Sequence, residues 1–169
     1  MTELLIGCGH NREKVMWAVG KPHWEDLTTL DINPEVNPDV LHDLDILPYP
    51  FKDESFDEIH ALEVLEHTGR QGDWRFFFGQ WSEFYRILKP DGLFFGSVPH
   101  YSSEWAWGDP SHTRVISLQQ LSFLGQRFYE QIGKTAASDF RHCWKGNFEI
   151  VHANVNSDRC QEFVLQKVA

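Results

Sequence analysis

Along the first half of the chain, short apolar runs alternate with polar turns. Leu4-Leu5-Ile6 stops at Gly7-Cys8-Gly9, Leu27 to Ile32 carries Asp31 near its end, Val40-Leu41 runs into Asp43, and Phe56 to Leu62 runs into Glu63. Runs of this length, each closed by a glycine or an acid, read as strands feeding loops and helices in an α/β sheet. Between Gly72 and Pro90 the period changes. Trp74, Phe77, Phe78, Trp81, Phe84, Tyr85 and Leu88 recur every three or four residues, which predicts an amphipathic helix with Asp73 as its N-cap. Lys89-Pro90-Asp91-Gly92 predicts a turn that breaks this helix, and Leu93 to Val98 a strand buried on both faces, ended by Pro99. Ser117 and Gln120 stand at capping-box spacing ahead of Leu118, Leu121, Leu124 and Phe128, predicting a second helix that stops near Gly133. Phe148 to Val155 and Glu162 to Val168 predict two strands in a hairpin-like ending around Asn156-Ser157-Asp158-Arg159. No repeat or linker interrupts the pattern, so residues 1–169 read as one domain.

In open α/β sheets, ligands bind outside the carboxyl ends of the strands, where loops gather. The distinctive residues fall there: Gly7-Cys8-Gly9, Asp31, Asp43, Glu63 to His67, and His100 to Trp107. A dinucleotide fingerprint would need a third glycine where Arg12 stands, which disfavours hydride transfer. Asp31, about twenty residues beyond the glycines, is placed to accept hydrogen bonds from both hydroxyls of a ribose. Asp43, one strand further out, could meet an adenine amine or cap a helix.

Six stretches taken in order, Leu4 to Gly9, Leu30-Asp31-Ile32, Val40 to Leu44, Phe56 to Ile59, Glu63-Val64-Leu65-Glu66-His67 and Arg86 to Leu93, resemble the successive motifs of class I S-adenosylmethionine-dependent methyltransferases. The subgroup most similar is the small methyltransferase-domain family with a Val-Leu-Glu-His signature. The resemblance implies an α/β, Rossmann-like, doubly wound sheet of seven mostly parallel strands, with an antiparallel last strand and helices on both faces. It implies S-adenosyl-L-methionine as cofactor, with Gly7, Cys8 and Gly9 at the methionine part, Asp31 and Ile32 at the ribose, Asp43 and Leu44 at the adenine, and Glu63 and Val64 at the sulfonium end. His67 opens the next helix. The family's usual N-terminal helices would precede Leu4, where the first strand begins almost at once, and His10-Asn11-Arg12 replaces the commoner small residues after the glycines.

Charge then narrows the acceptor. Fifteen Lys and Arg against twenty-five Asp and Glu give a formal net charge of −10, which argues against an extended nucleic-acid footprint and leaves a small-molecule acceptor as the leading expectation. No stretch is apolar and long enough to span a bilayer, and no signal peptide is evident, so a cytoplasmic location is expected. Cys8, Cys143 and Cys160 are odd in number and far apart, as expected of free thiols.

The segment from His100 to Arg114 is polar, aromatic-rich and aperiodic, as an acceptor-binding loop would be. If the acceptor must lose a proton, His100 is the candidate base. Tyr101, Trp105 and Trp107 could stack on a flat acceptor, and His112 and Arg114 could bind an anionic group; alternatively the aromatics form a homodimer or partner-chain contact. His100, Asp109 and His112 carry ligand-capable side chains, but no compact spacing ties them, and no metal is expected. Two other functions fit less of the pattern: a non-catalytic cofactor-binding subunit that needs a partner, motivated by the N-terminal departure, and an enzyme that uses another adenosine ligand or cleaves the cofactor.

Overall fold

A computed structural model describes residues 1–16 and 21–169. Seven strands, β1 (Thr2–Ile6), β2 (Asp26–Asp31), β3 (Val40–Leu41), β4 (Phe56–Leu62), β5 (Leu88–Pro99), β6 (Phe148–Val155) and β7 (Cys160–Lys167), form one sheet in the order β3-β2-β1-β4-β5-β7-β6. Strands β1 to β5 pair in parallel, while β7 runs antiparallel to both β5 and β6. Because the order reverses at β1, the loops after β1 and β4 part there and open a crevice at the strand ends.

Helix α1 (Trp74–Ile87) matches its predicted stripe. Asp73 caps it, accepting from the Phe76 N–H at 3.0 Å, and Phe77, Phe78, Trp81, Phe84 and Ile87 are buried. They pack on one face of the sheet with Leu4, Ile6, Ile59 and Phe94. Gly96 in β5 is required by close approach, because a Cβ there would lie 2.1 Å from the Phe163 ring. The expected turn at Lys89 to Gly92 is instead absorbed into β5 as an irregularity: Phe56 pairs with Leu88 but Glu58 with Leu93, and Asp91 takes φ 62°.

The expected second helix is broken. Helix α3 (Leu118–Leu121) is capped by Ser117, which accepts from the Gln120 N–H at 3.3 Å, but the helical path continues only as 3-10 turns at Ser122–Leu124 and Gln126–Gln131. Gly125 sits between them in extended conformation, and burying Leu121, Leu124 and Tyr129 together against the sheet outweighs helical continuity. A further turn of helix, α2 (Trp105–Gly108), lies in the loop after β5.

The other face is held differently. Leu5, Cys8 and Val36, the last on the 3-10 turn Pro34–Val36, make a small apolar cluster. Beside it Lys14 bonds Glu3 at 2.5 Å and Glu58 at 2.6 Å, all three side chains almost fully buried, and Glu3 also accepts from the Glu25 N–H. His60 stacks on Phe95 and donates from Nε2 to Glu58 at 3.0 Å. Burial pushes the Glu58 carboxyl up, but the bonds from His60 and Lys14 prevail and hold it below the ordinary carboxylate range. This lysine ties the connection between β1 and β2, which carries the glycine turn, onto the sheet.

Candidate functional site

The glycine turn after β1 is built by backbone conformation. Gly7 and Gly9 both adopt the left-handed region, φ 60° and 51°, and a Cβ on Gly7 would lie 2.3 Å from a methyl of Val64. Cys8 is buried and donates its N–H to the Leu30 carbonyl, and Gly9 donates its N–H to Asp31 Oδ2 at 2.9 Å. The Asn33 N–H meets Asp31 Oδ1 at 2.8 Å. Two backbone donors thus fix the Asp31 carboxylate while leaving further lone pairs for a ligand.

Two cavities flank this turn. One of about 490 Å³ is lined by Asp31, Ile32, Asp43, Leu44, Val64 and His67, with Gly7 and Glu63 at its edge. The other, about 550 Å³, takes in Gly7, Cys8, Gly9, Glu63, Ser97 and Cys160. Gly7 and Glu63 border both, so the two join into one crevice across the strand ends. Each falls in the range of about 300–1,000 Å³ usual for small-molecule sites. All ten residues expected at a cofactor therefore line this crevice.

Glu63 takes φ 51° and donates its N–H to the Ser97 carbonyl, which turns the chain sharply out of β4. Its Oε1 accepts from Cys160 Sγ at 2.9 Å, and burial together with this carboxylate pushes the Cys160 thiol up to about 12. All three cysteines are free thiols. Asp43 Oδ1 accepts from the Asp45 N–H, closing the turn under the cavity floor.

The loop after β5 distributes its residues over three settings. His100 Nδ1 is 2.8 Å from Ser102 Oγ, and its ring leans on Tyr101 outside the cavity walls. Tyr101, Trp105 and Trp107 project into solvent, Trp105 at 69% exposure, with Trp107 Nε1 donating to the Tyr101 carbonyl. His112 and Arg114 fold inward. The Arg114 guanidinium donates to the Leu65 carbonyl, Thr68 Oγ1 and Gln80 Oε1, and burial lowers its pKa to about 10. It therefore pins the 3-10 turn Leu65–His67 rather than presenting itself beside the two cavities.

That turn carries a residue the sequence reading passed over. Glu66 is 2% exposed, and burial first, with Glu63 and Asp109 adding, pushes its carboxyl up to about 8. Its only visible signal was its place next to His67 in Glu-Val-Leu-Glu-His. Ser97 and Cys160 were also missed, because strand pairing rather than sequence proximity brings them to the crevice.

A family model described as "Methyltransferase domain" matches residues 4–96, more than half of the chain. A sterol 24-C-methyltransferase of Pneumocystis carinii is 27% identical over 116 residues, 64% of this chain. The match takes in only 26% of that relative, so the chain spans about a quarter of its length. Among solved structures, the N-methyltransferase NodS of Bradyrhizobium japonicum in complex with S-adenosyl-L-homocysteine superposes with TM-score 0.58 at 16% identity, covering 98% of this chain and 77% of that one. A SAM-dependent methyltransferase from Archaeoglobus fulgidus gives TM-score 0.58 at 15% identity, covering 98% and 86%. These last two share the fold.

Proposed function

The chain belongs to the methyltransferase-domain family, and we propose that it binds S-adenosyl-L-methionine along the joined crevice and methylates a small-molecule acceptor. The carrying observation is the meeting of the two cavities at Gly7 and Glu63, with the Asp31 carboxylate pre-set by the Gly9 and Asn33 N–H groups. On this reading Asp31 accepts the ribose hydroxyls with Ile32 beside it, Asp43 and Leu44 border the adenine, and Gly7, Cys8, Gly9, Glu63, Val64 and His67 surround the methionine and sulfonium end. The cofactor supplies an electrophilic methyl on a positively charged sulfur. The contribution of this chain is mainly position, since holding reactants in line supplies a large part of such a barrier.

His100, its Nδ1 held by Ser102, is assigned to take the proton an acceptor loses. Tyr101, Trp105 and Trp107 are assigned to the acceptor's flat parts and His112 to an anionic group on it, while Arg114, expected beside them from the sequence, is held by Leu65, Thr68 and Gln80. The net charge of −10 favours a small acceptor over a nucleic acid. Among the described residues no helix is long and apolar enough to cross a membrane. Free thiols support the cytoplasm as its compartment, to be checked by cell fractionation.

Calorimetry with S-adenosylhomocysteine tests the reading directly. Saturable binding by the parent chain, and its weakening in Asp31→Asn, is the expected result. A folded parent that binds nothing at about 1 mM ligand, equivalent to less than roughly 4 kcal/mol of affinity, overturns it.

A further inference from the structure

Among the described residues, Glu66 is the only carboxylate with both oxygens buried and without a protein hydrogen-bond partner. Such a group is costly to bury in either protonation state. Protonation removes the charge but adds an O–H that itself needs an acceptor. The neighbours of Glu66 offer no hydrogen bond but do offer a coordination set. The Glu66 carbonyl accepts from the Thr113 and Arg114 N–H groups, and this contact between two loops brings His112 alongside. His112 Nε2 lies 4.0 Å from Glu66 Oε1 and 3.8 Å from Asp109 Oδ2, with its side chain 8% exposed. One ligand atom each from Glu66, His67 and His112 falls within 4.8 Å of the others. Distances near 4 Å are too long for hydrogen bonds. Ligands at about 2.0–2.2 Å from one tetrahedral ion lie roughly 3.3–3.6 Å apart, so side-chain rotations that close the cluster by about 1 Å bring its atoms to coordination distance.

The tautomer of His67 is also set. Ser111 Oγ has one proton and gives it to Asp109 Oδ1, so at 3.1 Å from His67 Nδ1 it can only accept. His67 therefore carries its proton on Nδ1 and leaves the Nε2 lone pair free. An imidazole oriented by a carboxylate relay of this kind is the usual support of a metal ligand. Two imidazoles and a carboxylate favour a transition ion over magnesium or calcium, and Glu63 and Asp109 add negative charge nearby.

We propose that Glu66, His67 and His112 bind a divalent transition-metal ion beside the cavity that holds Asp31 and Asp43, where His67 forms part of the wall. The ligands come from loops some forty-five residues apart, which is why no compact spacing announces them. The metal site does not rest on the function proposed above.

The full chain, stripped with a chelator and dialysed, is titrated with Co2+ while its visible absorption is followed, with Zn2+ competition read by calorimetry. Saturation at one ion per chain is expected, with affinity reduced at least about tenfold in Glu66→Gln and in His112→Ala, and unchanged in His152→Ala. A parent chain that shows no saturable Co2+ spectrum, or folded Glu66→Gln and His112→Ala variants that keep the parental affinity, overturns the site. If Glu66→Gln does not fold, His112→Ala and His67→Ala decide by the same criterion. S-adenosylhomocysteine binding on the same samples separates the two claims: binding of the nucleoside without metal overturns the metal site alone, and metal without the nucleoside supports the site while overturning the cofactor reading.

Discussion

Asp31 and Glu66 are both buried carboxylates in loops at strand ends, yet Asp31 receives two backbone N–H groups while neither oxygen of Glu66 meets a protein donor. Asp31 is completed within its own region, by the turn after β1 and the residue two positions on. The turn that carries Glu66 is pinned firmly, by Arg114 and by Thr113, but the bonds go to backbone and leave the carboxylate itself without a partner. An acid that the fold completes is ready for a ligand at little cost. An acid the fold holds rigid and leaves unmatched carries a cost that a bound cation can remove. Glu58 sets the scale for both, since it is as deeply buried as Glu66 but has Lys14 at 2.6 Å.

The largest effect should come from turning Glu58 into another Glu66. Lys14→Met keeps the stem volume but leaves Glu3 and Glu58 without their cation, and breaking a buried pair on one side costs about 3–5 kcal/mol. Urea unfolding should show that loss; a loss under about 1 kcal/mol would mean that the two acids find other partners and that burial of an acid is cheap here. Next is Glu66→Gln in chelator-stripped protein. Burial pushes the native carboxyl up to about 8 against about 4.3 in the unfolded chain, so the folded state holds its proton across that window while the unfolded chain releases it. Stability of the parent from this group is therefore complete at low pH and is lost as pH rises toward 8. The variant has no such loss, and its advantage should grow with pH by on the order of 2–4 kcal/mol before levelling off. Parallel stability curves for the two proteins would remove the contrast with Asp31.

Much of the donor side was legible because it is local. The apolar runs ending at Gly7, Asp31, Asp43 and Glu63 announce strand ends, and the stripe from Trp74 to Leu88 announces α1 with its Asp73 cap. The acceptor side resisted reading because its geometry is set by contacts distant in sequence. Arg114 looks like an anion-binding loop residue until the fold buries it against Leu65 and Gln80, and Cys160 reaches Glu63 only through the antiparallel pairing of β5 with β7. The broken second helix shows the same competition: Ser117 caps as its spacing says, but the packing of Leu124 and Tyr129 decides the path of the chain beyond the first turn.

Asp31→Asn sharpens the donor half of the comparison. The amide can keep one of the two backbone contacts and must turn N–H toward the other, so S-adenosylhomocysteine affinity should fall about 10- to 100-fold, roughly 1.4–2.7 kcal/mol. Calorimetry reads it, and an unchanged affinity would detach Asp31 from the ligand.

The smallest effect on the fold belongs to the loop where the acceptor is expected. Trp105 is 69% exposed and sits outside the apolar core clusters, so Trp105→Ala should change unfolding free energy by less than about 0.5 kcal/mol. If the exposed indole stacks on an acceptor, its loss is worth about 0.5–1.5 kcal/mol of binding, read as a KM for the acceptor up to roughly tenfold higher with the S-adenosylhomocysteine affinity unaltered. If the same change instead moves a sedimentation profile from dimer to monomer and leaves KM alone, the aromatics serve a second copy of the chain. Either outcome keeps stability flat, which is the feature that separates this loop from Glu58, Glu66 and Asp31: its chemistry is spent outward, and the fold holds together without it.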